Sequence, residues 1–543
     1  MKPRPFLQGA GLATLYITLY AADFLNSTLG DAYHRFFPLT TIYRAIFLMT
    51  LILWLSGGLA FFLLEGLSLW WKRILWILPI VLLPLLFFRS MSAAFFEFPR
   101  MAIATLGLEH ALTPAVAVAA LLLLFAASRI PVASRIYDRC IRGTRICYMV
   151  AGFGLLVIIP RIGLRALQSA PPENPGFQRT GLPAVSPSAP RIVWILMDEL
   201  SYDQIFDSRQ PDVLLPNFDR LARSSVVFSD LQPPAAAPGP GAATEAVVPS
   251  LLLGKVIVEL RKPYPGPPSY RSIPGGAWQR FNERDTIFAS AHSLGWTTGV
   301  AGWYNPYCRL LPHVLDRCVW VLSEPLRADL AGGLSTNHSV SENLSVMMPF
   351  HSTVNHLIHG STNEFARTHI DDYVSVMSYA KELIQDSRIR FVFIHLPIPH
   401  PPGIYDRVQQ SIGDHGTYLD NLVLADQSLA ALQDVIQSTP AAANTTLIIS
   451  SDHSWRTYMW KETPAWSAEA MRITQGGKFD PRPVLIVHLP GEDGPQIIAK
   501  PVNLLFAHNL LEALLRGQIH TMPDINILTG RKPEEIANAQ RGN

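Results

Sequence analysis

The chain has 543 residues, 49% of them hydrophobic and 16% charged. Soluble proteins carry about 25% charged residues, so this composition excludes a single soluble globular domain. A formal net charge of +2 leaves no global basic field and argues against a nucleic-acid binder.

The apolar residues crowd into the first third. A spanning helix needs about 20 mostly apolar residues, because lipid offers no partner to an unpaired backbone group. Five stretches meet or approach that requirement: residues 6–26 (which include Asp23), 45–64, 74–88, 111–128 and 146–160. Arg145 and Arg161 flank the last and can snorkel. Lys2 and Arg4 precede the first span, and Lys72 and Arg73 separate the second from the third. Arg129, Arg135, Arg139, Arg142 and Arg145 stand against Asp138 between the fourth and fifth. These basic segments are alternate loops, so the positive-inside rule puts them on one, inner, side. Five spans then place everything after Arg161 outside, in a multi-pass protein of the inner (plasma) membrane with an extracytoplasmic C-terminal part. Hydrophobic spans that follow at once argue against a cleaved signal peptide.

Residues 168–190 hold six prolines from Pro171 to Pro190, which predicts an extended spacer. The organisation expected is thus a helical transmembrane domain over 1–167, this linker, and an outer domain over 191–543. Cys308 and Cys318 fall in the outer domain, where a disulfide persists, while Cys140 and Cys147 read as free thiols.

In the outer domain, residues 192–197 (IVWILM), 391–394 (FVFI), 446–449 (TLII) and 484–487 (VLIV) are wholly apolar runs. Runs of that length suit strands buried on both faces. Helical patterns over 372–385 and 418–437 lie between them, giving an α/β fold with a central, mostly parallel sheet. Ligands of such sheets bind beyond the carboxyl ends of the strands. Three runs end there in metal-competent groups: Asp198 with Glu199, His395, and Asp452 with His453. Carboxylate and imidazole suit zinc, with manganese or calcium as alternatives. Each alone has a structural explanation, as a helix cap, a core histidine or a turn; together they favour a metal. Thr244 follows a Pro/Ala/Gly-rich loop at an expected helix start, where free N–H groups favour a phosphate. Its hydroxyl is a weak nucleophile until a metal lowers its pKa, and alone it reads equally as a cap.

With these residues in view, the outer domain resembles the sulfatase-like branch of the alkaline phosphatase superfamily, which includes the lipid A phosphoethanolamine transferases and lipoteichoic acid synthases. VWILMDELSYD is similar to the family's first metal motif. LIISSDHSWR resembles its S-D-H-G motif, with Ser454 in place of glycine. FIHLPIPHPP is similar to its two-histidine segment, with His395 and His400 five apart. YLDNLVLADQSL resembles the helix that precedes S-D-H. Two registers place the nucleophile. The transferases put a threonine five residues before a proline, here Pro249, and the sulfatases put theirs ten before a glycine, here Gly254. Both give Thr244. Ala246, Val247 and Val248 stand where sulfatases hold proline, serine and arginine, and threonine cannot become formylglycine, so the resemblance disfavours sulfate-ester hydrolysis.

The resemblance implies a membrane-bound, metal-dependent phosphotransferase acting through a phospho-threonine. Asp198, Glu199, Thr244, Asp452 and His453 would hold the metal. A substituted phosphate would pass from a phospholipid donor to an envelope glycan or lipid, with His395 and His400 stabilising phosphoryl oxygens or protonating the leaving group. One departure stands out: GGKFDPRPVLIVHLPG lacks the transferases' further histidine before its strand, and Lys478 is the residue there that could contact the phosphoryl group. Two other functions stay open: an ester hydrolase of the same fold, and a catalytically silent membrane sensor or scaffold.

Overall fold

The structure, a computed structural model, describes residues 4–25, 39–94, 131–167, 176–234, 243–262, 267–321, 334, 339–348, 364–463 and 465–530. The chain divides into two units, Met1–Pro172 with Glu324–Ser361, and Glu173–Ser323 with Thr362–Asn543.

The first unit is helical: α1 (Arg4–Leu25), α2 (Thr40–Gly66), α3 (Leu69–Ala94), α4 (Pro131–Gly152) and α5 (Leu155–Leu167). Small residues let α1 sit close to its neighbours. A Cβ on Gly9 would stand 2.3 Å from the backbone nitrogen of Gly58 on α2, and one on Gly11 would stand 1.9 Å from the carbonyl oxygen of Tyr148 on α4. Phe61, Trp76 and Tyr148 pack around it, with ring centroids 5.5 Å apart from Phe61 to each of the others. The short helix Val340–Val346, capped by Ser339 and Glu342, also belongs to this unit. The Tyr16 hydroxyl donates to the carbonyl of Met347 just beyond it (2.7 Å).

Two helical stretches among the described residues are long and apolar enough to cross a membrane, Thr40–Gly66 and Tyr137–Leu167, which corrects the expected five. The first expected span is a helix, but Gln8, Thr14, Tyr16 and Thr18 dilute its hydropathy. A helix packed against its neighbours through glycines does not need an apolar face all round. The third lies within α3, part of whose side chains fall outside the described set, and the fourth, 111–128, lies wholly outside it.

The second unit is built on a nine-stranded sheet. Its strands are β1 (Gly176–Gln178), β2 (Arg191–Met197), β3 (Val226–Phe228), β4 (Thr298–Trp303), β5 (Arg317–Val321), β6 (Phe391–Leu396), β7 (Thr445–Ser450), β8 (Leu485–His488) and β9 (Gln496–Ile498). Their order is β1-β5-β4-β6-β2-β7-β8-β3-β9. The five strands β5-β4-β6-β2-β7 run parallel, whereas β8 lies antiparallel to β7. Every residue of β2, β6 and β7 is buried, as continuous apolar runs require when helices cover both faces. The helices Glu364–Gln385 and Tyr418–Gln437 supply cover. β1 corrects part of the spacer expectation: between Pro175 and Pro183 the residues Gly-Phe-Gln keep their N–H donors, and they pair with the open edge of β5, Phe177 opposite Cys318.

Register brings the ends of the central strands level. Ile195 lies opposite Ile394 on one side and Ile449 on the other, so the residues after each strand emerge at one edge. Ile195 is fully buried. Ile195→Ala should therefore cost about 2–5 kcal/mol of stability, read as a lower denaturant midpoint of the second unit in the full chain. A loss under about 1 kcal/mol would contradict this placement.

Candidate active site

The residues after β2, β6 and β7 converge at that edge. Asp198 and Glu199 directly follow β2, His395 is the penultimate residue of β6, and Asp452 and His453 lie just beyond β7. Two strand-to-strand contacts hold the edge together: Trp194 Nε1 donates to Ser450 Oγ (2.7 Å), and the Glu199 backbone N–H donates to Asp452 Oδ1 (3.3 Å). Glu199 has a left-handed backbone, with φ of +62°. A bulky non-glycine residue is strained there and persists only where its surroundings hold it. The Tyr418 hydroxyl, at the start of its helix, donates to the Glu199 carbonyl (2.8 Å).

Thr244 opens the helix Thr244–Leu253, with Ala243 as the N-cap. The side chain of Thr244 thus does not cap its own helix. Its hydroxyl instead donates to Asp198 Oδ2 (3.0 Å) and lies 3.4 Å from His453 Nε2. His453 Nε2 is 3.0 Å from Asp452 Oδ2 and 3.9 Å from Asp198 Oδ1. His395 Nε2 faces Asp198 Oδ2 at 3.5 Å, and its Nδ1 pairs with the Tyr307 hydroxyl at 2.7 Å. His400 sits on the ring of Trp303 (5.4 Å between centroids) and beside Trp460 (5.1 Å). Its loop is fixed by Asn421, which donates to the carbonyls of His400 and Pro402 and accepts from the N–H of Ile404.

The expected residues thus meet, with two exceptions in role. Glu199 is drawn towards Arg456, whose Nε donates to its Oε1 (2.6 Å), while Trp460 Nε1 donates to its Oε2 (2.9 Å). Lys478 is exposed and outside the buried cluster, on a shallow hollow shared with Asp203, Thr457 and Asp480. His488, at the end of β8, pairs with the Ser224 carbonyl (2.7 Å). Cys308 and Cys318 form a disulfide that joins the turn after β4 to β5.

Sequence reasoning missed Arg456, Tyr307 and His369, whose Nε2 pairs with the His400 carbonyl at 3.0 Å. Arg456 carries a signal, a cation three residues after the S-D-H motif. Tyr307 adjoins a disulfide cysteine and His369 lies on an ordinary amphipathic helix, so neither is marked by spacing.

Burial sets the electrostatics. It pushes the Asp198 carboxyl well above the usual range, and the Asp452 charge adds to this. Burial also opposes Asp452, but His453 and His395 hold it below its ordinary value. His453 is raised despite burial and Arg456, because Asp452 and Asp198 attract its proton. Burial lowers His395 to about 4 and, with the Arg456 charge, takes His400 well below 6.5. Both are therefore neutral near pH 7.

Do these residues fit a metal? Asp198, Asp452 and His453 offer ligand atoms within 4.8 Å of one another, as do Asp198, Glu199 and His400. Tetrahedral zinc with bonds of about 2 Å separates its ligand atoms by roughly 3.3 Å, close to the spacings around Thr244 and His453. Among the described residues, Asp198 Oδ1, His395 Nε2 and His400 Nδ1 are buried without a hydrogen-bond partner, a costly state unless something else satisfies them. The donor set fits a divalent cation.

No family model matches the chain, and no curated protein matches it. Solved structures do. A sulfatase from Pseudoalteromonas sp. aligns at 12% identity over 63% of this chain and 72% of its own (TM-score 0.39). The phosphonate monoester hydrolase of Agrobacterium radiobacter aligns at 13% over 64% and 78% (TM-score 0.36). A Vibrio parahaemolyticus protein in the alkaline phosphatase superfamily aligns at 15% over 60% and 66% (TM-score 0.33). At these TM-scores the likeness carries no argument, and the functional reading rests on the geometry of the site.

The histidine shifts have a stability consequence. His395 at about 4 and His369 at about 3, both lowered by burial, have an ordinary value of 6.5. Below pH 6.5 the unfolded chain binds protons that the folded chain refuses, so their stabilisation is present above 6.5 and is lost as pH falls towards 4. His395 alone would contribute about 3 kcal/mol to that loss. The metal-free chain should melt markedly lower at pH 5 than at pH 7.5, and His369→Gln should flatten the slope. An unchanged melting temperature between those pH values would contradict the burial of both.

Proposed function

We propose that the chain is a membrane-anchored, metal-dependent phosphotransferase of the alkaline phosphatase superfamily. It would move a substituted phosphate, phosphoethanolamine- or phosphoglycerol-like, from a phospholipid donor to an envelope glycan or lipid. The observation that carries this reading is the Thr244 hydroxyl, buried at a helix N-terminus and 3.0 Å from Asp198 and 3.4 Å from His453.

Asp198, Asp452, His453 and the Thr244 oxygen would hold the metal, and imidazole among carboxylates favours zinc over calcium. When bound, such an ion lowers the pKa of the hydroxyl and offsets charge on the phosphoryl oxygens. Thr244 Oγ then bonds to phosphorus as the bond to the diacylglycerol oxygen breaks, and Asp198, the acceptor of the Thr244 hydrogen bond, is placed to receive the threonine proton. The departing alkoxide takes up the proton that Asp198, whose carboxyl burial holds above its usual range, received from Thr244, while the neutral His395 and His400 serve only to orient phosphoryl oxygens. In the second half, an acceptor hydroxyl bonds to the phosphorus of phospho-Thr244, and the threonine oxygen leaves and regains its proton. The free N–H groups at the start of the Thr244 helix favour the anionic phosphoryl group in both halves.

The membrane part of the reading draws on Thr40–Gly66 and Tyr137–Leu167. Only 33% and 28% of their most apolar windows is buried. An apolar helix left mostly exposed suits lipid better than a soluble core, and a lipid donor requires a site held near the bilayer. An extracytoplasmic second unit belongs to the same proposal, and the Cys308–Cys318 disulfide supports it, because such bonds persist in oxidising compartments.

Thr244→Ala should lower turnover at least about a thousandfold while zinc remains bound through the three other ligands. Turnover of a labelled phospholipid, zinc content and intact mass of the native chain are the measurements. An adduct on Thr244 with label on a glycan or lipid supports transfer; the adduct with label released to water makes the chain a hydrolase. Full activity of the alanine variant would remove Thr244 as nucleophile.

A further inference from the structure

The buried site holds a cation for which the metal chemistry has no use. The Arg456 side chain is 8% exposed, and its Nε is committed to Glu199 Oε1 at 2.6 Å. Glu199 is itself immobilised, by Trp460 Nε1 at its carboxylate and Tyr418 at its carbonyl. The guanidinium is therefore held by one edge. Among the described residues, neither terminal amino group of Arg456 makes a hydrogen bond or an ion pair. A buried guanidinium ordinarily satisfies its five donors, because unpaired polar groups are costly inside a protein. Here both Nη groups are left over.

We infer that Arg456 binds the substrate, with its two terminal amino groups gripping non-bridging oxygens of the tetrahedral phosphoryl group on which Thr244 acts. This rests on the phosphotransferase reading and names the residue that holds its anion. Chemistry and placement agree. A guanidinium presents parallel donors that match two oxygens of a phosphate, whereas an ammonium offers a point charge. Arg456 lies three residues beyond His453, and its charge is felt by Asp198, Asp452, His400 and His453 alike. Lys478, the residue that sequence position suggested for this task, is exposed and outside the cluster. Glu199 then acts as a positioning residue, fixing the edge of the guanidinium that does not face substrate.

The rival role is purely structural, with Arg456 as a counter-charge for Glu199. The two are separated with the full-length chain in detergent, loaded with zinc, by titrating inorganic phosphate calorimetrically and recording zinc content and melting temperature. Arg456→Gln should bind phosphate about 10- to 100-fold more weakly than the wild type while still holding zinc. Arg456→Lys keeps the charge opposite Glu199 but loses the fork. It should weaken phosphate by about tenfold, and it decides the matter if the glutamine variant does not fold. Zinc-loaded variants that bind phosphate within about threefold of wild type overturn the proposal, as does a zinc-loaded wild type that binds no phosphate. A wild type that takes up no divalent metal overturns the phosphotransferase reading itself, a distinct result.

Discussion

Two buried carboxylates that should repel each other share one pocket, and the site is organised around that conflict. Asp198 and Asp452 are both fully buried, and burial penalises the charged form of each. The conflict is resolved asymmetrically. His453, in contact with both, steadies Asp452 as the anion, while Asp198 is left as the carboxyl more ready to hold a proton. A divalent cation would relieve both at once. The acid next to them is removed from the contest because Glu199 is matched by Arg456, so the formal charge left over is that of the Asp198–Asp452 pair, which one divalent ion would balance.

The balance explains how neighbouring residues of one motif come to do different work. Asp198 and Glu199 are adjacent in sequence, yet the left-handed backbone at Glu199 turns the chain between them. One carboxylate meets Thr244 and the other meets Arg456. The same economy holds on β6. His395 ends a strand and is aimed by Tyr307, and His400 lies five residues on, where Asn421 pins the loop and the rings of Trp303 and Trp460 box the imidazole.

Much of this was legible in the chain itself. Continuous apolar runs ending in acids and histidines gave the central strands and the edge where the site lies, because a strand buried on both faces leaves few other patterns. Thr244 was placed by its distance from Pro249 and Gly254. What was not legible has physical causes. Hydropathy counts treat each helix as facing lipid and do not register that Gly9 and Gly11 pack α1 against its neighbours. Prolines predict an unpaired spacer, yet three residues between them keep the donors that β1 needs. Arg456 escaped because a cation beside a metal motif is ordinarily a surface residue; only its burial and its single tether to Glu199 distinguish it.

The serine at the position of the motif glycine fits the same organisation. Ser454 is buried, and its hydroxyl donates to Ser201 Oγ at 3.0 Å, which ties the loop after β7 to the loop after β2. These are the loops that carry Asp452 and Asp198. Their carboxylates push apart whenever no cation lies between them, and every tie across the gap opposes that motion: Ser454 to Ser201, the Glu199 N–H to Asp452, and Trp194 to Ser450. A glycine would leave the backbone freer but would remove one tie. With the serine the ligand atoms stay close to their working spacing before any ion arrives, so less reorganisation is needed when one binds. The serine thus adds one more tie between the loops that carry the two carboxylates.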